Sequence, residues 1–324
     1  MKQVIILFIL LILWSLSYAR AKLLNEKELE GATEYMNLDE ALREPLMVRK
    51  LKLSYQVLKK LPKEIAQLKN LQVLNLQGSH LKTLPKEIGR LYFLQKLYLD
   101  GNQITSLPRE FGDLYNMKEL YLKGNQLKTL PREIVSLHNL IILDLQRNKI
   151  QSLSGDLWNL VQLKSLNLSY NELISLPRGI WNLKKLESLD LGYNKLQHLP
   201  EGITKLKNLK KLNLGVNQLK TLPQKIKDLE NLKVLALNMN RLAKLPLEIG
   251  ELKNLHYLNL RDNRLKALPE EIGKLRKLAI LVIGNNRLTR KEISKIKSFY
   301  PNAKSGFNSL IWLGGLHEQP LWPQ

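Results

Sequence analysis

The apolar residues of this chain recur every 23 positions, without insertion or deletion, over most of its length. From Leu94 to Asn116 the unit reads LQKLYLDGNQITSLPREFGDLYN, and its frame is LxxLxLxxNxLxxLPxxIxxLxx, with Ile104 and Phe111 in aliphatic places. Nine consecutive units keep that frame from Leu71 to Lys277. A degenerate unit precedes them at Val48 to Asn70 and an eleventh begins at Leu278, so the array accounts for residues 48–300. Such a chain grows by adding units, not by enlarging one core, and its 324 residues are expected to form one elongated domain.

Within a unit, apolar positions 1, 4 and 6 flank polar ones, the period of a short strand with one buried face. One strand per unit, stacked in parallel about 4.8 Å apart, makes a sheet roughly 50 Å long. Proline at position 15, as in Pro85, Pro108, Pro131 and Pro177, fixes φ near −65° and forbids a strand on the return side. A turn or single helical turn is expected there, with acids such as Glu87, Glu110 and Glu133 at its positive start.

Position 9 is Asn102, Asn125, Asn148, Asn171, Asn194, Asn217, Asn240, Asn263 and Asn286. A side-chain amide carries donors and an acceptor, so this column suits a turning backbone whose groups the sheet cannot pair. A catalytic or metal-binding row is the competing reading, and the strict periodicity favours a structural ladder. Gln56 and Ser79 depart from the column in the first two units.

These residues resemble those of leucine-rich repeat proteins over nearly the whole chain. The 23-residue form LPKEIAQLKNLQVLNL at Leu61 to Leu76, the segment ALREPLMVRKLKLS at Ala41 to Ser54 and the segment LTRKEISKIKSFYPNAK at Leu288 to Lys304 are similar to secreted members from pathogenic spirochaete-type bacteria. The resemblance implies an α/β solenoid: a horseshoe with short parallel strands on the concave face, turns on the convex face and helical caps at both ends. It also implies an exported binding scaffold, in several members turned toward host molecules. The tail beyond Lys304 departs from that family's ends.

The two ends of the chain differ from the array. Residues 1–21 carry Lys2, an apolar run from Val4 to Trp14 and small residues Ser17, Ala19 and Ala21, the pattern of a signal peptide. That run is shorter than the roughly 20 residues needed to span a bilayer, although an uncleaved anchor is an alternative. Residues 22–47 are acidic and read as an N-terminal cap, with one short helix begun by a capping box at Asn37 and Glu40. A second box at Thr289 and Glu292 starts the C-terminal cap within the last unit, residues 278–300. The tail, residues 301–324, is read as mobile or folded back on that cap.

The 51 basic and 29 acidic residues leave a net charge of +22, and cysteine is absent. A disulfide framework, a zinc–thiolate site and a thiol nucleophile are thereby excluded. The five histidines fall at unrelated unit positions, and no phosphate-cradling, dinucleotide or nucleophile-elbow motif occurs. No catalytic residue, metal or cofactor is therefore assigned.

Binding remains. Strand positions 2, 3, 5, 7 and 8 are expected to face outward, free of core duty. They gather Tyr98 and Tyr121 side by side, then Ile142, Asp144 and Arg147, then Tyr170, Asp190 and Tyr193, a set rich in the residues that interfaces use as anchors. Cross-strand stabilisation is the plainer reading of the tyrosines. Trp158 and Trp181, one unit apart at position 19, are expected to stack or lie adjacent while filling a gap where unit five has Ser154 in place of proline. The positive charge, spread over positions 12, 16, 22 and 23, should attract anionic glycans or a lipid surface, with nucleic acid disfavoured by the export signal. The expected function is a secreted or cell-surface scaffold for a protein ligand, a host surface or matrix molecule. The alternatives are a periplasmic or membrane-anchored envelope scaffold, and an intracellular GTPase or signalling scaffold if residues 1–21 do not export the chain.

Overall fold

The computed structural model describes residues 22–300 and the backbone of residues 304–306 and 310–312. Residues 1–21, read above as a signal peptide, lie outside the described residues. Each unit supplies one three-residue strand at positions 3 to 5: β2 (Lys50–Lys52), β3 (Val73–Asn75), β4 (Lys96–Tyr98), β5 (Glu119–Tyr121), β6 (Ile142–Asp144), β7 (Ser165–Asn167), β8 (Ser188–Asp190), β9 (Lys211–Asn213), β10 (Val234–Ala236), β11 (Tyr257–Asn259) and β12 (Ile280–Val282). Neighbours pair in parallel with an offset of one unit, as in Tyr98 opposite Tyr121. The sheet stays open, running from β1 (Glu34–Tyr35) at one end to β12 and two short antiparallel strands, residues 304–306 and 310–312, at the other.

Pairing holds the strand side at the sheet spacing, while the return side carries bulkier turns, so the strand face is the concave one. Those turns are short 3-10 helices, such as Arg109–Asp113, most of them entered through the position-15 proline in extended conformation; Ile180–Asn182 is entered instead through Gly179 at φ 101°. Ser154 holds the same backbone place at φ −65°, and its Oγ accepts from the Asp156 N–H in the proline's stead. The core is a single column of aliphatics, with Leu97, Leu120, Leu143 and Leu166 at most 1% exposed at position 4.

Three side-chain ladders satisfy the backbone between units. At position 9, Asn171 Oδ1 accepts from Ile150 N–H at 3.0 Å, and its Nδ2 donates to Leu145 O and Leu168 O. The same three bonds recur from Asn102 to Asn286. Ser79, which breaks the column in sequence, keeps one of them by donating to Leu53 O at 2.8 Å. A second ladder stands at position 23, where Asn116, Asn139, Asn208, Asn231 and Asn254 donate to the carbonyl 24 residues earlier. At position 5, Asn75, Asp144, Asn167, Asp190, Asn213 and Asn259 each accept from the N–H two residues on and close the strand end.

The N-terminal cap is richer than one helix. Helix α1 (Glu26–Glu30) begins at Asn25, which forms the full reciprocal capping box with Glu28. Helix α2 (Leu38–Arg43) follows, with Asn37 accepting from the Asp39 and Glu40 N–H groups. Between them β1 pairs with β2 and covers the sheet edge. A five-residue helix and a two-residue strand are too short to leave a periodic pattern, which is why only α2 is visible in the sequence. At the other end α3 (Arg290–Ser298), capped by Thr289, buries Ile296, and the Tyr300 hydroxyl donates to Ile272 O. In the tail, the backbone of residues 310–312 pairs antiparallel with β12 of the last unit.

Candidate binding face

Across β5 to β9 the concave face sinks into a hollow of about 340 Å³, lined by Tyr121, Ile142, Asp144, Asn167, Asp190 and Lys211 among others. Its depth comes from position 3, where Ser165 and Ser188 replace the long side chains of Lys96, Glu119 and Lys211. On the N-terminal flank the Tyr98 and Tyr121 rings stack at 4.9 Å with only 3° between planes.

A polar chain fixes that flank. Glu26 of α1 meets Lys96 at 2.6 Å, Lys96 meets Glu119 at 3.0 Å, and the Tyr121 hydroxyl donates to Glu119 at 3.0 Å. Burial pulls the Lys96 ammonium down, but the two carboxylates outweigh it and raise its pKa above the ordinary lysine range. Burial and the adjacent Glu119 raise both tyrosines, so the phenols stay protonated. The segment leading into α1 lies along the same units: Gln72 accepts from Leu24 N–H at 2.8 Å and donates to Lys22 O, and Gln95 donates to Leu24 O. Position 2 is therefore not outward-facing in these units, since Gln72 and Gln95 are 0% and 1% exposed beneath residues 22–24.

Tyrosine at position 5 forfeits the turn-closing acceptor that Asn or Asp supplies elsewhere. Asp100 restores it from the neighbouring unit by accepting from Lys123 N–H at 2.8 Å. Burial raises Asp100 to about 6. Asp190, expected to point outward, is only 8% exposed, because its carboxylate folds back to the Gly192 N–H. Burial raises it too, to about 6, and Asp144 rises in the same direction for the same reason. No ion pair holds Asp144 or Asp190 among the described residues.

The rim of the face is position 8, where the backbone turns left-handed. Gly78, Gly101 and Gly124 adopt φ of 64°, 66° and 67° without penalty. From unit five the same conformation is forced on Arg147, Tyr170, Tyr193, Val216 and Met239, with φ of 53° or 54°; Asp262 and Asn285, types that tolerate it better, follow in the last two units, and Tyr55 shares it in the first. An L-residue there costs about 1–2 kcal/mol, and a β-branched one is a genuine outlier. The side chains so held form a ridge: the Arg147 guanidinium lies 5.1 Å from the Tyr170 ring, and Tyr170 stacks on Tyr193 at 3.9 Å. Tyr193 and Met239 are 44% and 49% exposed, so the ridge faces solvent rather than the core.

The sequence-derived candidates thus divide in two. Tyr98, Tyr121, Ile142, Asp144 and Asp190 build the hollow and its flank, while Arg147, Tyr170 and Tyr193 build the rim. Val216 and Met239 were not singled out in the sequence, although an apolar residue where earlier units have glycine is a readable signal. The tryptophans do not form a stacked pair. Trp158 is fully buried with Nε1 donating to Pro177 O at 3.1 Å, and Trp181 packs on Gly202 of the next unit beneath Lys205. Both fill the convex side, as a one-unit offset allows each ring to meet the next unit's backbone. Among the described residues no cluster of His, Cys, Asp and Glu is placed to hold a metal ion, and no helix is long and apolar enough to cross a membrane.

Comparison with known proteins accords with this architecture. A family model for the leucine-rich repeat region matches residues 28–122, 142–241 and 224–300. A leucine-rich repeat protein of Leptospira interrogans is 31% identical, over 85% of this chain and 100% of its own, with a TM-score of 0.45. The plant peptide hormone receptor RGFR1, solved in complex with RGF2, is 32% identical over 75% of this chain and 44% of its own, with a TM-score of 0.63. The PEPR1-AtPEP1 structure is 35% identical over 74% of this chain and 35% of its own, with a TM-score of 0.67. The chain therefore spans less than half the length of either of these last two structures. A search of curated proteins finds no match. With its repeats matched over most of their length and their ladders in place, the chain belongs to the leucine-rich repeat family.

Proposed function

We propose that the chain is an exported, non-catalytic scaffold that holds an extended protein segment against its concave face, the partner being a host surface or matrix protein. The position-8 ridge carries this reading. Of the seven consecutive units that hold a non-glycine residue in the left-handed region at this position, the first five present Arg147, Tyr170, Tyr193, Val216 and Met239, where three earlier units use glycine. Strain of this kind persists where the side chain is needed. The ridge borders a hollow containing two unpaired carboxylates, so the complementary segment carries a cationic side chain for Asp144 and Asp190 and apolar groups for the tyrosines. The fold supports the reading by likeness, since RGFR1 is a peptide hormone receptor.

Export rests on residues 1–21, and recovery of a shortened chain from the culture medium tests it. A pull-down from host surface extracts tests the site. Protein captured by the native chain and lost when Tyr98, Tyr121, Tyr170 and Tyr193 are replaced by Ala supports it, whereas capture unchanged by those substitutions contradicts it.

A further inference from the structure

The charge of this protein is not evenly spread. Positions 10 to 13 of every unit form one lateral edge, where the chain leaves the sheet for the convex side. Across all eleven units Glu172 is the sole acidic residue at those positions, and Lys195 neutralises it at 3.0 Å. The edge is built, not merely populated: the position-10 N–H donates to the position-11 carbonyl of the preceding unit, as in Arg241 to Leu219 O and Arg264 to Leu242 O at 2.9 Å, and Arg287 to Leu265 O at 2.8 Å. That ladder holds successive position-10 residues in register, at about the sheet spacing of 4.8 Å.

Toward the C-terminal end the edge carries Lys220, Arg241, Lys244, Arg264, Lys266 and Arg287, all exposed. None has an ion pair among the described residues. Three arginines on consecutive rungs repel one another with no counter-charge from their own chain. Guanidinium forks match sulfate and carboxylate oxygens in pairs, which point charges on lysine do not. No Phe, Tyr or Trp stands at positions 10 to 13, so the edge has nothing on which nucleobases would stack. Apolar side chains exposed there are isolated, as Ile174 is, and offer no continuous face for insertion into a bilayer.

We propose that this edge is a track for a linear sulfated polysaccharide, engaged over units eight to eleven. It is separate from the concave face, so polysaccharide and protein ligand are held at once. The probe is a size-defined heparin oligosaccharide, with affinity measured across a salt series. One triple variant, Arg241→Gln, Arg264→Gln and Arg287→Gln, empties the arginine column. A second, Lys184→Gln, Lys233→Gln and Arg276→Gln, removes the same charge from exposed positions off this edge. The expected result is an affinity at least tenfold weaker for the first variant, with a shallower salt dependence, and less than about threefold weaker for the second. Equal losses in both would overturn the edge, leaving net charge as the cause. Phosphatidylserine vesicles or single-stranded DNA of matched charge binding as tightly as heparin, with the same dependence on the arginine column, would overturn the assignment to a polysaccharide. Circular dichroism melts on both variants verify that folding is intact.

Discussion

Asp190 holds a charge at a cost to folding, and Asp190→Asn should recover it. The carboxyl is raised by burial from 3.8 to about 6, so the folded chain binds a proton more tightly than the unfolded one. Stability from this group is therefore highest below the unfolded pKa, falls as pH rises through about 6, and is lowest at neutral pH. At about 1.4 kcal/mol per pKa unit, the deficit at pH 7 is at most about 3 kcal/mol. Asparagine keeps the turn, since Asn75, Asn167 and Asn213 make the same bond to the N–H two residues on. Part of the gain is lost with the Asp190–Asn213 side-chain bond, which leaves about 1–2 kcal/mol. For a chain of this size that is roughly 2–5 °C in melting temperature. Thermal melts at pH 7 and at pH 4.5 should show the variant more stable than the native chain at the higher pH and indistinguishable from it at the lower. A variant equally or less stable at pH 7 would refute the claim that an unpaired, desolvated carboxylate sits in the hollow.

Other substitutions separate ladder, rim and core. Asn194→Ala leaves the Leu173 N–H without its acceptor, while Leu168 O and Leu191 O keep the amides of Asn171 and Asn217, so denaturant titration should show a loss of about 1–3 kcal/mol. Asn139→Ala, whose single bond to Tyr115 O is exposed, should cost under about 1 kcal/mol in the same assay. Val216→Gly relieves about 1–2 kcal/mol of left-handed strain against about 0.5–1 kcal/mol of added chain entropy. Its melting temperature should hold or rise while ligand binding weakens. Trp158→Gly should cost about 3–5 kcal/mol by emptying a buried site, yet leave partner binding intact when measured below the melting point.

The solenoid is legible because its signal is repeated: one weak alternation such as Leu94, Leu97, Leu99 means little alone and a great deal eleven times over. The position-9 asparagines share that advantage. The ladder at position 23 does not, since Phe93, Gln162, Lys185 and Lys277 interrupt it, and Lys185 and Lys277 reach back to Gln162 and Asn254 instead. Asp144 and Asp190 stand out in sequence as charged residues on an exposed strand, but their turn-closing bonds are visible only when the backbone is placed. The hollow is an absence, made by Ser165 and Ser188, and patterns of large residues do not reveal absences. Likewise the contact of Leu24 with Gln72 and Gln95 joins residues 48 and 71 apart, beyond the reach of any local periodicity.

The central claim is that the strained rim at position 8 exists to hold a protein ligand. Its most direct test is to replace Tyr170, Tyr193, Val216 and Met239 together by Gly, the residue units two to four use there, and to measure both stability and capture of partner protein from host surface extracts. The structure predicts a chain that melts no more than a few degrees from the native one and no longer retains the partner. Retention at the native level by this folded variant would contradict the claim and leave the ridge without a role in binding.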